Sequence, residues 1–287
     1  MDPLYLLRKL HGIYCRTRKS YAQWTQKKRW KKDAESMRIL VTPTPQIELD
    51  MEASFLILMP HSDDEWIGCS QIIKKGRKVT ICNMNMLGGD TEEIHSLRYQ
   101  EAQQVANDFS REFITLPSQN RVKELATVIS QYSPDYILLP YFFDWHPEHN
   151  EVMKICYRAL SDCDYRGKFL LYQVSVPVPV LDCNCCVAMN RNESIEKWDS
   201  FFKYYKTQSF MPAIRFQAYE RINGAMTESY AAETFCLIGV KEWKEGIEKK
   251  LLDDNEKYNL KTNLNNVVFM TNEIKRLYDK RQFKCNE

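Results

Sequence analysis

Short apolar runs alternate with longer amphipathic segments through the middle of this 287-residue chain. The runs have the length of buried strands, and the segments between them have the apolar spacing of helices. Strands separated by helices of about ten to fifteen residues form βαβ units. We therefore predict an α/β fold, a Rossmann-like three-layer sandwich with a mostly parallel sheet and helices on both faces. The predicted strands are 54–60, 78–86, 111–116, 136–142, 169–176 and 234–240, and the predicted helices are 65–75, 93–109, 121–132, 149–162 and 192–207.

The chain divides by composition into three regions. Residues 1–45 form a basic leader with helical spacing, residues 46–240 form the alternating domain, and residues 241–287 form a helical, polar tail that we expect to pack on that domain. The formal charge is +2, of which residues 1–32 carry +9, so the remainder has a net charge of −7. This distribution argues against a uniformly basic nucleic-acid-binding protein, although the basic leader could still contact a phosphate-rich partner. The leader either packs on the domain or lies on an anionic membrane surface.

No apolar run reaches the length of about eighteen residues that suggests a membrane-spanning helix, and no signal-peptide cleavage pattern follows the amino terminus. We therefore expect the protein in the cytoplasm, or at a membrane surface through its leader. The ten cysteines are scattered through apolar segments, which is typical of reduced core thiols. The segment Cys183–Cys186 has one CxxC spacing but no second pair of ligands, whereas a structural zinc site normally needs four.

Two clusters of acids and histidines each follow a predicted strand. The first is HSDDE at 61–65 and the second is DWHPEH at 144–149. Because the carboxyl ends of parallel strands meet at one edge of a sheet, both clusters should lie there together. A catalytic zinc ion typically takes three protein ligands and keeps a fourth position for water. The two clusters contain enough histidines and carboxylates for such a site.

His61, Asp64 and His149 supply three ligands of the required type. Asp63 is then left free to accept a proton from the water. The alternative interpretation is that Ser62 and Asp63 cap the helix that follows. Capping and catalysis are compatible, and the second histidine cluster favours the catalytic interpretation.

Three further motifs occur in order along the chain, namely RYQE at 98–101, Lys197 with YKTQ at 205–208, and YAAETF at 230–235. Together with PHSDDE at 60–65 and the second histidine cluster, they cover about residues 53–240 and resemble the zinc-dependent N-deacetylases of the PIG-L / LmbE-like family. The resemblance implies hydrolysis of the N-acetyl group of a conjugate that contains N-acetylglucosamine or another N-acetylhexosamine. It also implies a role in glycan or glycoconjugate biosynthesis. Ser62 stands where a proline is common in the family, and the leader and the tail have no counterpart in the motifs.

The resemblance implies a role for each matching residue. The three ligands named above would bind Zn²⁺, with Fe²⁺ or another divalent metal as the alternative. Asp63 would be the general base, and His146 would assist as an electrostatic or proton-donating group. Asp144 lies two residues before His146, and we interpret it as the partner that holds an imidazole in one tautomer.

Arg98, Tyr205 and Gln208 are the candidate substrate-binding residues. Arg98 either pairs with Glu101 on its own helix or points into the cleft to bind a hydroxyl or a phosphate, as the resemblance suggests. Tyr205 and Gln208 match a family motif. The expected partner is a small-molecule or lipid-linked amino-sugar conjugate, and the sequence does not indicate an oligomeric state. Two alternative functions stay open, an amidase of another small conjugate on the same metal centre and a non-catalytic carbohydrate-binding relative.

Overall fold

The computed structural model describes residues 24–283. The earlier part of the leader, with its predicted helical spacing, lies outside the described residues. The strands are β1 (Ser54–Met59), β2 (Lys78–Asn83), β3 (Glu112–Thr115), β4 (Tyr136–Pro140), β5 (Lys168–Tyr172), β6 (Cys185–Met189) and β7 (Ala231–Gly239). The helices are α1 (24–38), α2 (Asp64–Lys75), α3 (Glu92–Asp108), α4 (Arg121–Tyr132), α5 (Pro147–Ala159), α6 (Arg191–Tyr204), α7 (Ala213–Asn223), α8 (Val240–Lys250), α9 (Asp254–Thr262) and α10 (Val267–Phe283).

The seven strands form one mixed sheet with the order β3-β2-β1-β4-β5-β7-β6. The first five of these strands are parallel to one another, and β7 is antiparallel to both of its neighbours. The predicted α/β class with a mostly parallel sheet is therefore confirmed. From β1 the sheet grows through β2 to β3 on one side and begins again at β4 on the other. This reversal is the place where ligands bind in open parallel sheets.

The central strands are buried on both faces, as β1 shows. Leu56 and Leu58 pack into the core beneath α4, α5 and the carboxyl-terminal helices. Phe55, Ile57 and Met59 pack into the opposite core with residues of α2, α3 and α6. Alternate side chains of a strand point to opposite faces, so an apolar run of this kind requires helices on both sides. The three-layer arrangement follows from that burial.

Strand β6 and helix α7 are absent from the sequence-based assignment. Strand β6 contains Cys185 and Cys186, which the sequence analysis discussed only as possible metal ligands, and it pairs with β7 at the end of the sheet. The eight cysteines in the described residues form no disulfide, and the Sγ atoms of Cys183 and Cys186 are 3.5 Å apart. Within residues 24–283, no cysteine belongs to a group of potential metal ligands.

Helix α1 packs on the domain through one apolar stripe. Trp30, Ala34 and Met37 are buried, and the Trp30 indole N–H donates to the Asn265 carbonyl at 2.9 Å. The lysines of α1 lie on its exposed side. Residues 24–38 of the leader therefore pack on the domain, which is one of the two alternatives. Contact of the leader with a membrane stays a prediction. Over the described part of the chain, no helix is both long and apolar enough to cross a bilayer.

The carboxyl-terminal helices are part of the main core. Trp243 of α8 is fully buried and stacks on Phe169 of β5 with ring centroids 4.1 Å apart. Leu260 of α9 and Leu277 of α10 are also fully buried. Burial of large side chains contributes most of the stability of a domain, so these helices should stabilise the sheet that carries the site.

Replacing Trp243 by Ala should therefore lower the free energy of unfolding by about 3–5 kcal/mol, because it removes a buried aromatic ring and leaves a cavity. Urea unfolding followed by circular dichroism measures the change. Tyr258→Ala is the control, since this tail residue is 70% exposed and its loss should cost under about 0.5 kcal/mol. Equal stability of the two variants would contradict an integral role for the tail.

Candidate metal centre

The pairing of β1 with β4 brings the two histidine clusters together. The two strands are parallel neighbours, with Ile57 opposite Leu138, so their carboxyl ends meet at one edge of the sheet. Helix α2 begins at Asp64, directly after β1, and α5 begins at Pro147, a few residues after β4. The proline at the start of α5 has a fixed φ that suits the first turn of a helix. Both clusters therefore lie in tight strand-to-helix connections that face each other.

The turn before α2 has an unusual backbone conformation. Asp63 has a φ of 123°, a value that L-residues rarely adopt, and its N–H donates to Glu65 Oε2 at 3.0 Å. Its side chain makes no capping hydrogen bond to α2. The capping interpretation is thus wrong for the Asp63 carboxylate. A strained residue at such a position usually serves a function that the surrounding structure maintains.

Three ligand atoms form a nearly equilateral triangle at this edge. His61 Nδ1 is 3.2 Å from His149 Nε2 and 3.3 Å from Asp64 Oδ2, and His149 Nε2 is 3.2 Å from Asp64 Oδ2. Ligands about 2.0–2.1 Å from a tetrahedral zinc ion lie roughly 3.3 Å apart. The three residues predicted as ligands thus have the spacing of such a site.

A carboxylate contacts the outer nitrogen of each of these two imidazoles. His61 Nε2 is 2.6 Å from Glu148 Oε2, and His149 Nδ1 is 2.9 Å from Asp144 Oδ2 in an oblique orientation. A proton on each outer nitrogen leaves a lone pair on the nitrogen that faces the triangle. Asp144 thus contacts His149, while its other oxygen accepts from the His146 backbone N–H at 2.8 Å. The structure therefore links Asp144 to His149 as the imidazole partner.

Glu148 has no assigned role in the sequence analysis, although it lies within the second cluster. Besides His61, its carboxylate accepts a hydrogen bond from the Gly88 N–H at 3.2 Å. The hydrogen bond with His61 outweighs partial burial and lowers the pKa of Glu148 to about 2. Its position in the sequence between His146 and His149 is the signal that could have indicated a role for Glu148 in the site. Neighbouring residues of a helix point in different directions, so the position of Glu148 beside His149 does not tell which side chain it contacts. Its contact with His61, which follows β1, is therefore not evident from the sequence.

His146 belongs to a second set of potential metal ligands. Ligand atoms of His61, His146 and His149 lie within 4.8 Å of one another, which is a looser arrangement than the triangle. Its Nδ1 accepts from the Glu148 N–H at 3.3 Å as the cap of α5, so a neutral imidazole carries its proton on Nε2. Burial, with His149 and His61 nearby, lowers the pKa of His146 to about 4. At neutral pH this residue is therefore a neutral hydrogen-bond donor.

Asp63 lies beside these ligands and is buried. Its Oδ2 atom is buried and has no hydrogen-bond partner in the structure. Burial and the negative charge of Asp64 raise the pKa of Asp63 well above its ordinary value. A nearby cation would favour the ionised carboxylate instead, as metal ions do in such sites. An unpaired buried oxygen on the residue that precedes the candidate ligand Asp64 is consistent with a proton acceptor beside a metal ion.

Arg98 does not pair with Glu101. Its Nη1 donates to Asp90 Oδ2 at 2.6 Å, and the Glu101 carboxylate instead accepts from the backbone N–H and hydroxyl of Thr207. The intrahelical pair is therefore wrong. Arg98 and His61 both line a cavity of about 10 Å³, which is room for about one water molecule. This cavity is too small to hold a sugar ring.

Gly88 lies in the loop between Met86 and Asp90, two residues that line this cavity, and close to the outer side of the His61 ring. Its φ is 64°, and a Cβ at this position would lie 3.2 Å from His61 Cδ2. Glycine is suited to this site because other residues adopt such a φ at a cost. The hydrogen bond from Gly88 to Glu148 joins the loop to the candidate site.

Tyr205 and Gln208 are buried, with 0% and 1% of their surfaces exposed. The Tyr205 hydroxyl hydrogen-bonds to Glu65, and burial raises the pKa of Glu65 to about 7. Gln208 has an unpaired side-chain oxygen. The substrate-binding role of both residues stays a prediction, and Tyr205 has a structural partner that the sequence analysis did not identify.

Comparisons with known proteins agree with this fold. A conserved protein from Thermus thermophilus is 17% identical, with a TM-score of 0.50 over 64% of this chain and 93% of that chain. N,N'-diacetylchitobiose deacetylase from Pyrococcus horikoshii is 18% identical, with a TM-score of 0.50 over 65% of this chain and 84% of that chain. At these identities the likeness concerns the fold.

A family model described as PIG-L, GlcNAc-PI de-N-acetylase, matches residues 56–160. The matched region contains both histidine clusters and ends at the carboxyl end of α5. Fold, site and match together define a hydrolase of the deacetylase class. The match at residues 56–160 confirms the resemblance to the PIG-L / LmbE-like family drawn from the motifs.

Removing the Glu148 carboxylate should weaken metal binding, because His61 loses the partner that orients its ring. Outer partners of metal-binding histidines are typically worth about 10–100-fold in affinity, so Glu148→Ala should raise the metal dissociation constant by that factor. Competition with a fluorescent chelator measures it. Glu151→Ala is the control, because this partly exposed glutamate of the same helix contacts Arg158 and neither histidine ligand. Identical affinities for the two variants would refute the role.

Proposed function

We propose that this protein is a zinc-dependent N-deacetylase that removes the acetyl group from a conjugate containing N-acetylglucosamine or a related N-acetylhexosamine. The triangle of His61, Asp64 and His149 is the main support, because its 3.2–3.3 Å spacing suits a tetrahedral zinc ion. The unpaired oxygen of Asp63 beside it is the second support. The matching family description and the diacetylchitobiose deacetylase from Pyrococcus horikoshii both concern N-acetylglucosamine compounds.

The proposed mechanism divides the work among residues of the two clusters. When bound, zinc would polarise the amide carbonyl and acidify a water molecule. Asp63 would take a proton from the attacking water and return it to the leaving amine. The Nε2–H of His146 would donate to the developing oxyanion, since its Nδ1 is occupied as a helix cap. Asp144 and Glu148 would hold the two imidazole ligands in their orientations.

Substrate recognition would involve Arg98, whose Nε atom is buried without a hydrogen-bond partner in the structure. It lies next to His61 at the small cavity, so it could contact a hydroxyl or phosphate group of the bound conjugate. Opening of the Gly88 loop would enlarge the cavity. The proposal leaves an amidase of another small conjugate and a non-catalytic carbohydrate-binding protein as the alternatives that the experiment must separate.

Asp63→Asn provides the central test. This variant keeps the three ligands and should bind metal as the wild type does, but its acetate release should fall about 10²–10⁴-fold because the proton acceptor is lost. Metal content per chain is measured by atomic emission, and acetate release is scored on a panel of N-acetylglucosaminyl conjugates with zinc-loaded protein.

The outcomes of that test separate the alternatives. Acetate release by the wild type and its loss in Asp63→Asn support the deacetylase. Release of another acid from a different conjugate supports the general amidase. A wild type that binds sugars without metal and releases no acid contradicts the proposal and favours the binding protein.

We also propose that α1 contacts anionic membranes through its exposed basic side, which suits a lipid-linked substrate. Its buried stripe faces the domain, and the exposed residues Ile39 and Leu40 follow the helix. Each Lys near such a surface contributes about 1 kcal/mol. The exposed lysines of α1 are Lys27, Lys28, Lys31 and Lys32.

Changing these four lysines to Glu should abolish sedimentation with phosphatidylserine-containing vesicles at low salt. The buried residues of α1 are untouched, so stability should be retained. Neutral phosphatidylcholine vesicles are the control for non-electrostatic binding. Unchanged sedimentation of the variant would show that α1 only packs on the domain.

A further inference from the structure

Helix α2 is interrupted one turn after the candidate ligand Asp64. Cys69 has φ −135° and ψ 19°, which lie outside the helical region. The preceding residue, Gly68, packs directly on Tyr172, whose ring atom would lie 2.2 Å from a Cβ at that position. A sharp change in a helix has an identifiable cause, usually a group inserted into its hydrogen-bond ladder.

The inserted group here is a buried ion pair. In an undistorted helix, the Gln71 N–H would donate to the Ile67 carbonyl. Instead, Lys197 Nζ donates to the Ile67 carbonyl at 2.7 Å, and the Gln71 N–H donates to Glu233 Oε2 at 3.0 Å. Lys197 Nζ and Glu233 Oε1 are 2.6 Å apart. The pair therefore provides partners for both backbone groups at the interruption.

The first turn of α2 is held to α6 at three consecutive residues. Glu65 bonds the hydroxyl of Tyr205, which directly follows α6. The Trp66 indole N–H donates to the Lys197 carbonyl at 2.8 Å, and the Ile67 carbonyl accepts from the Lys197 ammonium. The backbone carbonyl and the side-chain ammonium of Lys197 thus both contact this turn. Helix α6 itself lies outside residues 56–160, the region that the family model matches.

We propose that Lys197 and Glu233 are positioning residues that set the orientation of the Asp63–Asp64 turn relative to the two histidine ligands. The inference rests on the proposed metal role of Asp64. Neither residue belongs to the ligand triangle, and both act through the backbone of α2. The ion pair would hold the first turn of α2 at an angle to the rest of the helix. In a continuous helix, the first turn would instead lie on the same axis as the residues after Cys69.

Burial makes this pair sensitive to change. Lys197 and Glu233 are 0% and 3% exposed, and a second carboxylate, Glu220, lies 2.7 Å from Lys197 Nζ. Removing one partner of a buried pair is costly, and such pairs are poor sources of net stability. The burial of Lys197, Glu220 and Glu233 close to the interruption is therefore better explained by a role in setting the geometry of α2 than by a contribution to stability alone.

Glu233→Gln tests the inference, because it keeps the size of the side chain and an acceptor for Gln71 but removes the charge. We expect faster amide hydrogen exchange in residues 61–71 of the metal-free protein, beyond the change in global stability. With Co²⁺ bound, the visible absorption bands should shift, and the metal dissociation constant should rise about 10–100-fold. In turnover assays kcat should fall with little change in KM.

Ser70→Ala is the milder variant, in case Glu233→Gln does not fold. It removes the 2.6 Å hydrogen bond from Ser70 to Glu233 and should change the same measurements in the same direction by less. Glu256→Gln is the matched control, since it breaks a buried ion pair with Arg281 in the tail. The control should lower stability without selective exchange in residues 61–71 and without a Co²⁺ band shift.

The outcomes distinguish this inference from the proposed function. Wild-type exchange in residues 61–71 and wild-type Co²⁺ bands in both Glu233→Gln and Ser70→Ala would overturn the positioning role. Selective exchange with no Co²⁺ binding by the wild type would support the positioning of the turn and contradict the metal site. Acetate release by the wild type addresses the reaction separately.

Discussion

The parallel pairing of β1 with β4 is the constraint on which the candidate site depends. It brings together two strand ends that are about 80 residues apart in the chain, as the pairing of Ile57 with Leu138 shows. The packing of different side chains on the two faces of β1 favours its register, because a shift by one residue would exchange Leu56 and Leu58 with Phe55, Ile57 and Met59 between the two cores. The 3.2–3.3 Å distances among the three ligand atoms depend on that register, because it sets the positions of the two strand ends relative to each other.

Acidic groups accumulate around the triangle, and this explains why a cation suits it. Asp63, Asp64 and Glu65 follow one another in a buried turn, and Asp144 is buried on the facing connection. Burial raises the pKa of Asp63 and Glu65 in the absence of a metal ion. A divalent cation would favour the ionised forms and balance this charge. The hydrogen bond from the Tyr205 hydroxyl to Glu65 compensates part of the cost of burying that carboxylate.

Sequence reasoning was strongest where structure is local. The strand-to-helix connections at 61–65 and 144–149 were recognisable because an apolar run, a polar cluster and a helix followed in order. The partners of Arg98 and Tyr205 are not evident from the sequence, because Asp90 lies across a turn from Arg98 and Glu65 lies 140 residues from Tyr205. Strand β6 is not predictable from the sequence, because a five-residue strand at the end of the sheet has little periodicity of its own.

The amino-acid sequence by itself determined the α/β class and the position of the two histidine clusters at strand ends, because these depend on periodicity and on neighbouring residues. Only the tertiary structure decided that Glu148 holds His61, that Asp144 contacts His149, and that Lys197 and Glu233 interrupt α2. Those contacts join residues from distant segments, so their distances arise from the packing of the sheet and its helices. Spacing along a chain does not contain that information.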